Sequence, residues 1–461
     1  MPTTTRRALF LLCAMALAGL LTACGRFPGT TPDATAPPGS TPATTRSAVD
    51  ALAARDDAPP DPRFRRVLEP RELVFPADHG AHPDYQTEWW YVTANLWTGE
   101  PDDPAARRFG LQWTVFRRAL QPPPEGEGDA ADGPARASAW ATRQLAMGHF
   151  ALTDAGVVAG RGLDDTDRGG TYRGGTYRGG RGHRGVERYA RGAAGLAGFE
   201  AAPFRIWLED WSLESVAPPS GDPADASAIL PLRLRADTGR TPSEDQTEER
   251  LAVDLTLRST KPVVLQGDRG FSRKGDTPGA ASFYYSFTRL LAEGTVTVGE
   301  ETWPVAGTAW LDHEWSTSVL TAEQTGWDWF SIQLDSGHEL MAFTLRLAGG
   351  GIDPASSGTL VSPDGTSRPL GVDDFELEVL DRWRSPVTGI EYPSRWRLHV
   401  PREDLELEIL PVLADQELDI SFRYWEGAVD IVGTNRGAAI TGHGYVELVG
   451  YGDSTEPNLR M

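Results

Sequence analysis

Two stretches of the chain repeat one another, and that repeat restricts its possible folds more than any other feature. Thr87–Gly99 (TEWWYVTANLWTG) lies over Thr325–Gly337 (TGWDWFSIQLDSG) at an offset of 325 − 87 = 238. Thr87/Thr325, Trp89/Trp327, Leu96/Leu334 and Gly99/Gly337 are identical, while Tyr91 meets Trp329, Thr93 meets Ser331 and Asn95 meets Gln333. A second pair, Gly307–Trp315 (GTAWLDHEW) and Gly442–Gly450 (GHGYVELVG), overlays at 442 − 307 = 135. Just upstream, Glu293–Gly299 (EGTVTVG) echoes Glu426–Val432 (EGAVDIV). Each copy has its own first and last strand, so the chain divides into two homologous units, 70–318 and 319–455.

The repeated stretches alternate from one face to the other as strands do. Short alternating runs recur along the chain and no long helical period appears; Gly 50 and Pro 35 supply many turns. The fold class is therefore all-β. Sequential hairpins opening on a tryptophan-bearing strand suit two tandem antiparallel β-barrels of the up-and-down kind, closed so that no edge remains. A β-sandwich is the rival. With 40% hydrophobic residues and 15 tryptophans among 461, the chain can fill such cores. A net charge of −21 argues against a nucleic-acid partner.

The N-terminus carries export signals. Arg6 and Arg7 precede the apolar run Ala8–Leu21, which has the length and flanks of a signal peptide and weakly resembles a twin-arginine signal. The run ends in Leu21–Thr22–Ala23–Cys24, similar to the lipobox of bacterial lipoproteins. Residues 1–23 then form the signal and Cys24 is the lipidated first mature residue. The mature charge becomes −21 − 2 = −23, and Cys24 is the one cysteine left, so no disulfide framework exists. Residues 24–69, rich in Pro, Thr and Ala, form a tether to the membrane. Gly25, in place of an inner-membrane retention aspartate, favours the periplasmic face of the outer membrane. Arg168–Gly185, Gln121–Pro134, Pro218–Asp225 and Thr241–Arg250 are expected as flexible surface insertions or loops.

Four motifs in order, HPDYQTEWWYVTANL, AWLDHEW, GWDWFSIQLDSG and YWEGAVDIVG…GHGYVELVGY, resemble the AttH/CrtC family of envelope proteins over Phe75 to Tyr451. That resemblance implies two lipocalin-like barrels. One branch comprises carotenoid 1,2-hydratases; the other, loosely termed secreted hydrolases, accompanies ABC-transporter systems. The tethered acidic chain is more similar to the second branch, which implies possible ABC-transporter components as partners. The carotenoid branch is associated with a His-x-Trp pair, matched by His313–Glu314–Trp315, and a downstream Tyr-x-Asp. At Gly326–Trp327–Asp328 the Tyr is absent.

Comparing the copies locates candidate chemistry. Asp312–His313–Glu314–Trp315 stands where the second copy has Glu447–Leu448–Val449–Gly450, and Glu88 stands where it has Gly326. His313 is expected to point inward, as a core residue or as a proton carrier with Asp328 as its carboxylate partner. Glu88 is either a second acid or a structural mate of an arginine such as Arg117. Asp312 is a further proton source. Trp89, Trp90, Tyr91, Trp315, Trp327 and Trp329 form an aromatic wall for a hydrophobic small molecule or lipid, with Trp89 and Trp327 alternatively serving as barrel-base plugs. Such a ligand would sit near the end of the first barrel or where the barrels meet. Hydration of an isolated C=C would use the acids as proton donors and the rings to stabilise a carbocation. His79 and His82, with Asp78, Asp84, His149 and His313, could suggest a metal, but the H-x-x-H in a Pro-containing loop reads as turn chemistry. Neither a cofactor nor a metal is expected, and no G-x-S-x-G elbow is present.

Overall fold

The computed structural model describes residues 61–452 except 124–141, 161–175, 217–221, 223, 240–248, 319 and 422. The expected signal, Cys24 and most of the tether lie outside those residues. Among the described residues the regular structure is strand, with four short 3-10 turns. The strands form two antiparallel sheets of 13 and 10 strands, one in each repeat.

Both sheets are meanders in which the first strand pairs with the last. In the first barrel Thr87–Trp97 pairs with Glu301–Ser316; in the second Gln324–Leu334 pairs with Ala438–Val449. Among the described residues each path is left unpaired at one place, between the fourth strand and the next: Thr176–Arg191 and Ala197–Ala201 in the first barrel, Ser367–Gly371 and Glu376–Arg384 in the second. The expected full closure is thus replaced by a barrel with a single slit. The repeat survives in register. Trp89 faces Glu314 across the strands, and Trp327 faces Val449, at the same two offsets, 327 − 89 = 238 and 449 − 314 = 135.

One part of the repeat needs correction. Asp312 pairs with Ser286 and Glu447 with Glu426, so Glu426 corresponds to Ser286 rather than to Glu293. Pairing with the last strand fixes register, and Glu-Gly-x-Val is too short a pattern to outweigh it. The glycine-rich run is corrected too. Thr176–Arg191, which includes the end of the expected flexible insertion, is a 16-residue strand. Two of its side chains reach the other barrel: Tyr177 hydrogen-bonds Asp430 at 2.9 Å, and Glu187 accepts from Ser421.

The opening strand explains its own composition. Trp90, Val92, Ala94 and Leu96 face the first barrel's core, with Trp113, Trp211 and Trp315. Tyr91 and Trp89, on the opposite face, pack with Trp310, Trp329, Phe343 and Tyr445 in a separate cluster. Both faces are buried because the barrels pack side against side along these strands. Backbones come close here: a Cβ on Gly110 would stand 2.7 Å from the Cβ of Ala428. The seam has an approximate two-fold. Asn95 Nδ2 donates to the carbonyl of Gly444 at 3.0 Å, and its counterpart Gln333 Nε2 donates to the carbonyl of Ala309 at 3.0 Å. Tyr91 meets its own counterpart Trp329 edge to face, 5.2 Å between centroids.

Candidate active site

The aromatic and acidic residues singled out from sequence separate into three places: the floor of each barrel and the seam between them. In the first floor, Glu88 is fully buried. Its Oε2 accepts from Arg117 Nε at 2.6 Å and from the backbone N–H of His82 at 2.9 Å; its Oε1 lies 2.6 Å from His82 Nδ1 and 2.8 Å from His313 Nε2. His82 Nε2 reaches Asp78 at 2.9 Å, and Arg71 closes on Asp78 with two bonds of 2.7 and 2.8 Å. Behind His313, Tyr285 Oη stands 3.1 Å from its Nδ1 and 2.7 Å from His79 Nδ1, and His79 Nε2 meets the carbonyl of Ala226 at 2.9 Å. Residues 71–82 are thereby tied to the barrel end.

Charge follows from these contacts. Burial would lift the Glu88 carboxyl, but Arg117, His82 and His313 together hold it well below the usual range, so it is a carboxylate. Burial opposes a charge on His82; the flanking carboxylates, Glu88 foremost, win and raise it. Burial holds His79 down to about 3 and also lowers His313, where Glu88 pulls the other way. The four bonds from Ala226 through His79, Tyr285 and His313 to Glu88 need four protons, and the three side chains bring three. With His313 held down by burial, the chain lacks that fourth proton, and the Tyr285 hydroxyl can donate to only one of the two rings.

Trp90 and Trp315 belong to this floor. Trp90 stacks on His313 at 4.5 Å between centroids and donates from Nε1 to the carbonyl of His79 at 3.1 Å. Trp315 lies flat on His82 at 3.8 Å. The expected base plug is therefore Trp90 rather than Trp89, because the Glu88–Arg117 pair turns that face inward. His82 Nδ1, Glu88 Oε1 and His313 Nε2 converge closely enough to suggest a cation. Yet both rings point at one oxygen at hydrogen-bond distance, and Arg117 already neutralises that carboxylate, so a divalent ion would add charge to a cationic floor. The donor set suits a hydrogen-bonded latch better than a metal centre.

The second floor is simpler. Asp328 pairs with Arg346 and accepts from Tyr451 Oη at 2.9 and 3.0 Å. Arg346 is the counterpart of Arg117: Arg117 lies opposite Glu88, and Arg346 lies opposite Gly326. His313 and Asp328 are not brought together, for each has other partners inside its own barrel.

The seam holds Trp89, Tyr91, Trp327, Trp329 and Asp312. Asp312, 3% exposed, accepts from Tyr284 Oη at 2.7 Å, Ser286 Oγ at 2.5 Å and Trp310 Nε1 at 2.6 Å. Burial outweighs those three donors, Glu314 adds repulsion, and the carboxyl is pushed up to about 7. Trp329 Nε1 donates to Tyr284 Oη at 3.2 Å, so the second barrel backs the first barrel's acid. Glu314 is paired with Lys274 at 3.1 Å. Across the seam Tyr91 Oη donates to Glu426, and Trp327 Nε1 donates to Glu447 at 2.5 Å. Trp89, Trp327 and Glu447 are partly exposed at the rim. Two surface clefts, of about 150 and 240 Å³, open elsewhere, around Leu334 and Arg436 and around Asp210 and Thr297.

Sequence reasoning passed over Tyr284, Tyr285, Ser286, Glu426 and Glu447. Glu447 had a signal: in the overlay it sits on Asp312, the one acid present in both last strands. The tyrosines and Ser286 lie in a stretch that no repeat marked.

The family model described as AttH-like matches residues 66–174 and 176–451. Among solved structures, an AttH protein of Nitrosomonas europaea is similar with a TM-score of 0.62 and 30% identity, over 84% of this chain and 99% of that one. Kievitone hydratase from Nectria haematococca is similar with a TM-score of 0.51 and 12% identity, over 84% and 98%; this likeness concerns the fold. No curated protein matches the chain.

Proposed function

This chain belongs to the AttH-like family, and from that premise we propose that it is an acid–base catalyst of the hydratase type, acting on an apolar unsaturated small molecule held at the seam between its barrels. The observation that carries this reading is Asp312. Its carboxyl is pushed up to about 7, so it holds a proton near neutrality, and it sits among Trp310, Trp329 and Tyr284. A proton donor whose pKa lies near the working pH is what general acid catalysis requires. The Asp312 proton goes to one alkene carbon and the π pair becomes the new C–H bond. The cation left on the other carbon faces the ring systems, which attract positive charge. Water then adds its oxygen there. A hydratase is also among the proteins sharing this fold.

The floors suit the role less well. Glu88 is an ionised carboxylate and cannot serve as an acid, and burial lowers His313. Trp90, Trp113, Trp211 and Trp315 fill the first barrel, which leaves the partly exposed rim of Trp89, Trp327 and Glu447 as the approach.

The test is turnover of squalene micelles, and of an envelope lipid extract, in D2O and in H2¹⁸O. The expected product is an alcohol carrying one new C–D bond or one ¹⁸O, absent with Asp312→Asn. No labelled product from either probe sinks the catalytic reading. A stoichiometric apolar ligand retained without label would turn the proposal to carriage. The proposal includes an envelope location: Cys24 bears the lipid, and Cys24→Ser should move the protein from the membrane to the soluble fraction. Wild-type protein already in the soluble fraction contradicts that anchor. Association with ABC-transporter components rests on the family resemblance, and co-purification with a transporter subunit would test it.

A further inference from the structure

If Asp312 gives a proton to an alkene, some other group must take one from the attacking water. The seam has such a group at the position related to Asp312 by the approximate two-fold. There the first barrel sets Ser286 opposite Asp312, and the second sets Glu426 opposite Glu447. Two carboxyl groups face each other across neighbouring strands, with Glu426 fully buried.

The outer contacts of this pair are fixed. Tyr91 donates to Glu426 Oε1, and Trp327 donates to Glu447 Oε1 at 2.5 Å. Glu426 Oε2 is buried and receives no bond from a donor, and Glu447 stands directly opposite it on the neighbouring strand. Among the described residues no arginine or lysine is paired with either one; the seam cations Lys274 and Arg108 are engaged with Glu314 and Asp430. Two adjacent carboxylates without a cation cannot both ionise, whereas one proton between them satisfies the oxygen left over. The pair also adjoins the acid already described. Tyr91, which donates to Glu426, lies directly opposite Asp312 in its own barrel, and Trp329 lies directly opposite Glu447.

We propose that Glu426 and Glu447 share one proton and serve as the base of the seam, taking the proton released by water while Asp312 supplies the proton to carbon. This rests on the reading of Asp312 given above. The atoms balance. Asp312 loses one proton to carbon, and the oxygen lone pair of water forms the C–O bond. The proton that water gives up goes to the ionised member of the pair, which then holds two. Transfer of one of these back to Asp312 restores the starting state, and the net change is addition of one water to the double bond.

Two measurements on the full chain test this and separate it from the reading it rests on. The first needs no substrate: infrared spectra of wild type, Glu426→Gln and Glu447→Gln across pH. One carboxyl signal lost equally in both variants is expected. Two independent signals, each lost in one variant only, or none lost in either, overturn the shared proton. The second uses squalene. Both variants should lose ¹⁸O incorporation by about 100-fold or more, yet still exchange deuterium into recovered squalene, because Asp312 still protonates carbon reversibly. Retained ¹⁸O incorporation overturns the base role. Neither label in wild type overturns the Asp312 reading and the base role with it, while the infrared result still decides whether the proton is shared.

Discussion

The two floors are the same device at two levels of elaboration. In the second barrel an arginine from the second strand meets one carboxylate, Asp328, and Tyr451 lies over the guanidinium at 3.9 Å. In the first, the corresponding arginine meets Glu88, and three histidines, a tyrosine and Asp78 are added. The second barrel shows what closing a floor requires: one ion pair and a ring. What the first barrel has in excess ties down residues 71–82, a segment without a counterpart in the second. The seam differs in the opposite sense. There the second barrel is the more elaborate, with a carboxyl pair where the first has Asp312 and a serine.

This contrast can be broken most strongly at the floors. Both partners of the Glu88–Arg117 pair are wholly buried, whereas Arg346 keeps a fifth of its side chain in solvent. Glu88→Gln should cost about 3–5 kcal/mol, the usual effect of stranding a buried charge. Asp328→Asn should cost less, about 1–2 kcal/mol, because water partly screens the stranded arginine. Denaturant unfolding of both variants checks this; equal losses would end the distinction between the floors.

A second comparison uses pH. The Asp312 carboxyl is raised from 3.8 to about 7, so the folded state holds a proton that the unfolded chain releases. Its contribution is fully present below about pH 4 and is lost as pH rises through 7, with a slope of up to about 1.4 kcal/mol per pH unit. His79 behaves oppositely. Its pKa falls from 6.5 to about 3, so its contribution is present above pH 6.5 and is lost as pH falls toward 3. Asp312→Asn should remove a fall in stability between about pH 4 and 7 as pH rises, and His79→Gln should remove a loss between about pH 6.5 and 3 as pH falls. An unchanged profile in either variant would contradict the corresponding assignment. A smaller effect belongs to the seam hydroxyl: Tyr91→Phe removes the bond to Glu426 and should cost about 1–3 kcal/mol if that carboxyl is left unsatisfied. A loss near zero by thermal unfolding would show that Glu426 finds another donor.

Much of this was legible in the residues. The duplication fixed two β units and the register of their first and last strands, because identical Trp, Leu and Gly positions mark strand and turn together. The inward direction of His313 followed from its apolar counterpart Leu448, and pairing with Arg117 was one of the two readings open for Glu88, the other being a second acid. Which face of Thr87–Leu96 pointed inward was hidden, since both faces carry aromatic residues and both are buried. The run Thr176–Gly185 read as a loop because its glycines and arginines have low strand propensity; it pairs with Gln144–Gly160 of its own sheet, and Tyr177 reaches the other barrel. Glu426 and Glu447 escaped for a related reason. Alternation says which residues share a face, and only the packing of one barrel on another says that an outward face is dry.

The most direct test of a catalytic seam against a catalytic floor is ¹⁸O incorporation into squalene by Asp312→Asn and His313→Gln, measured side by side and normalised to folded protein. The expected result is loss of labelled alcohol with Asp312→Asn and retention with His313→Gln. The reverse, a silent His313→Gln beside an active Asp312→Asn, would return the chemistry to the first barrel's floor and leave the seam as packing.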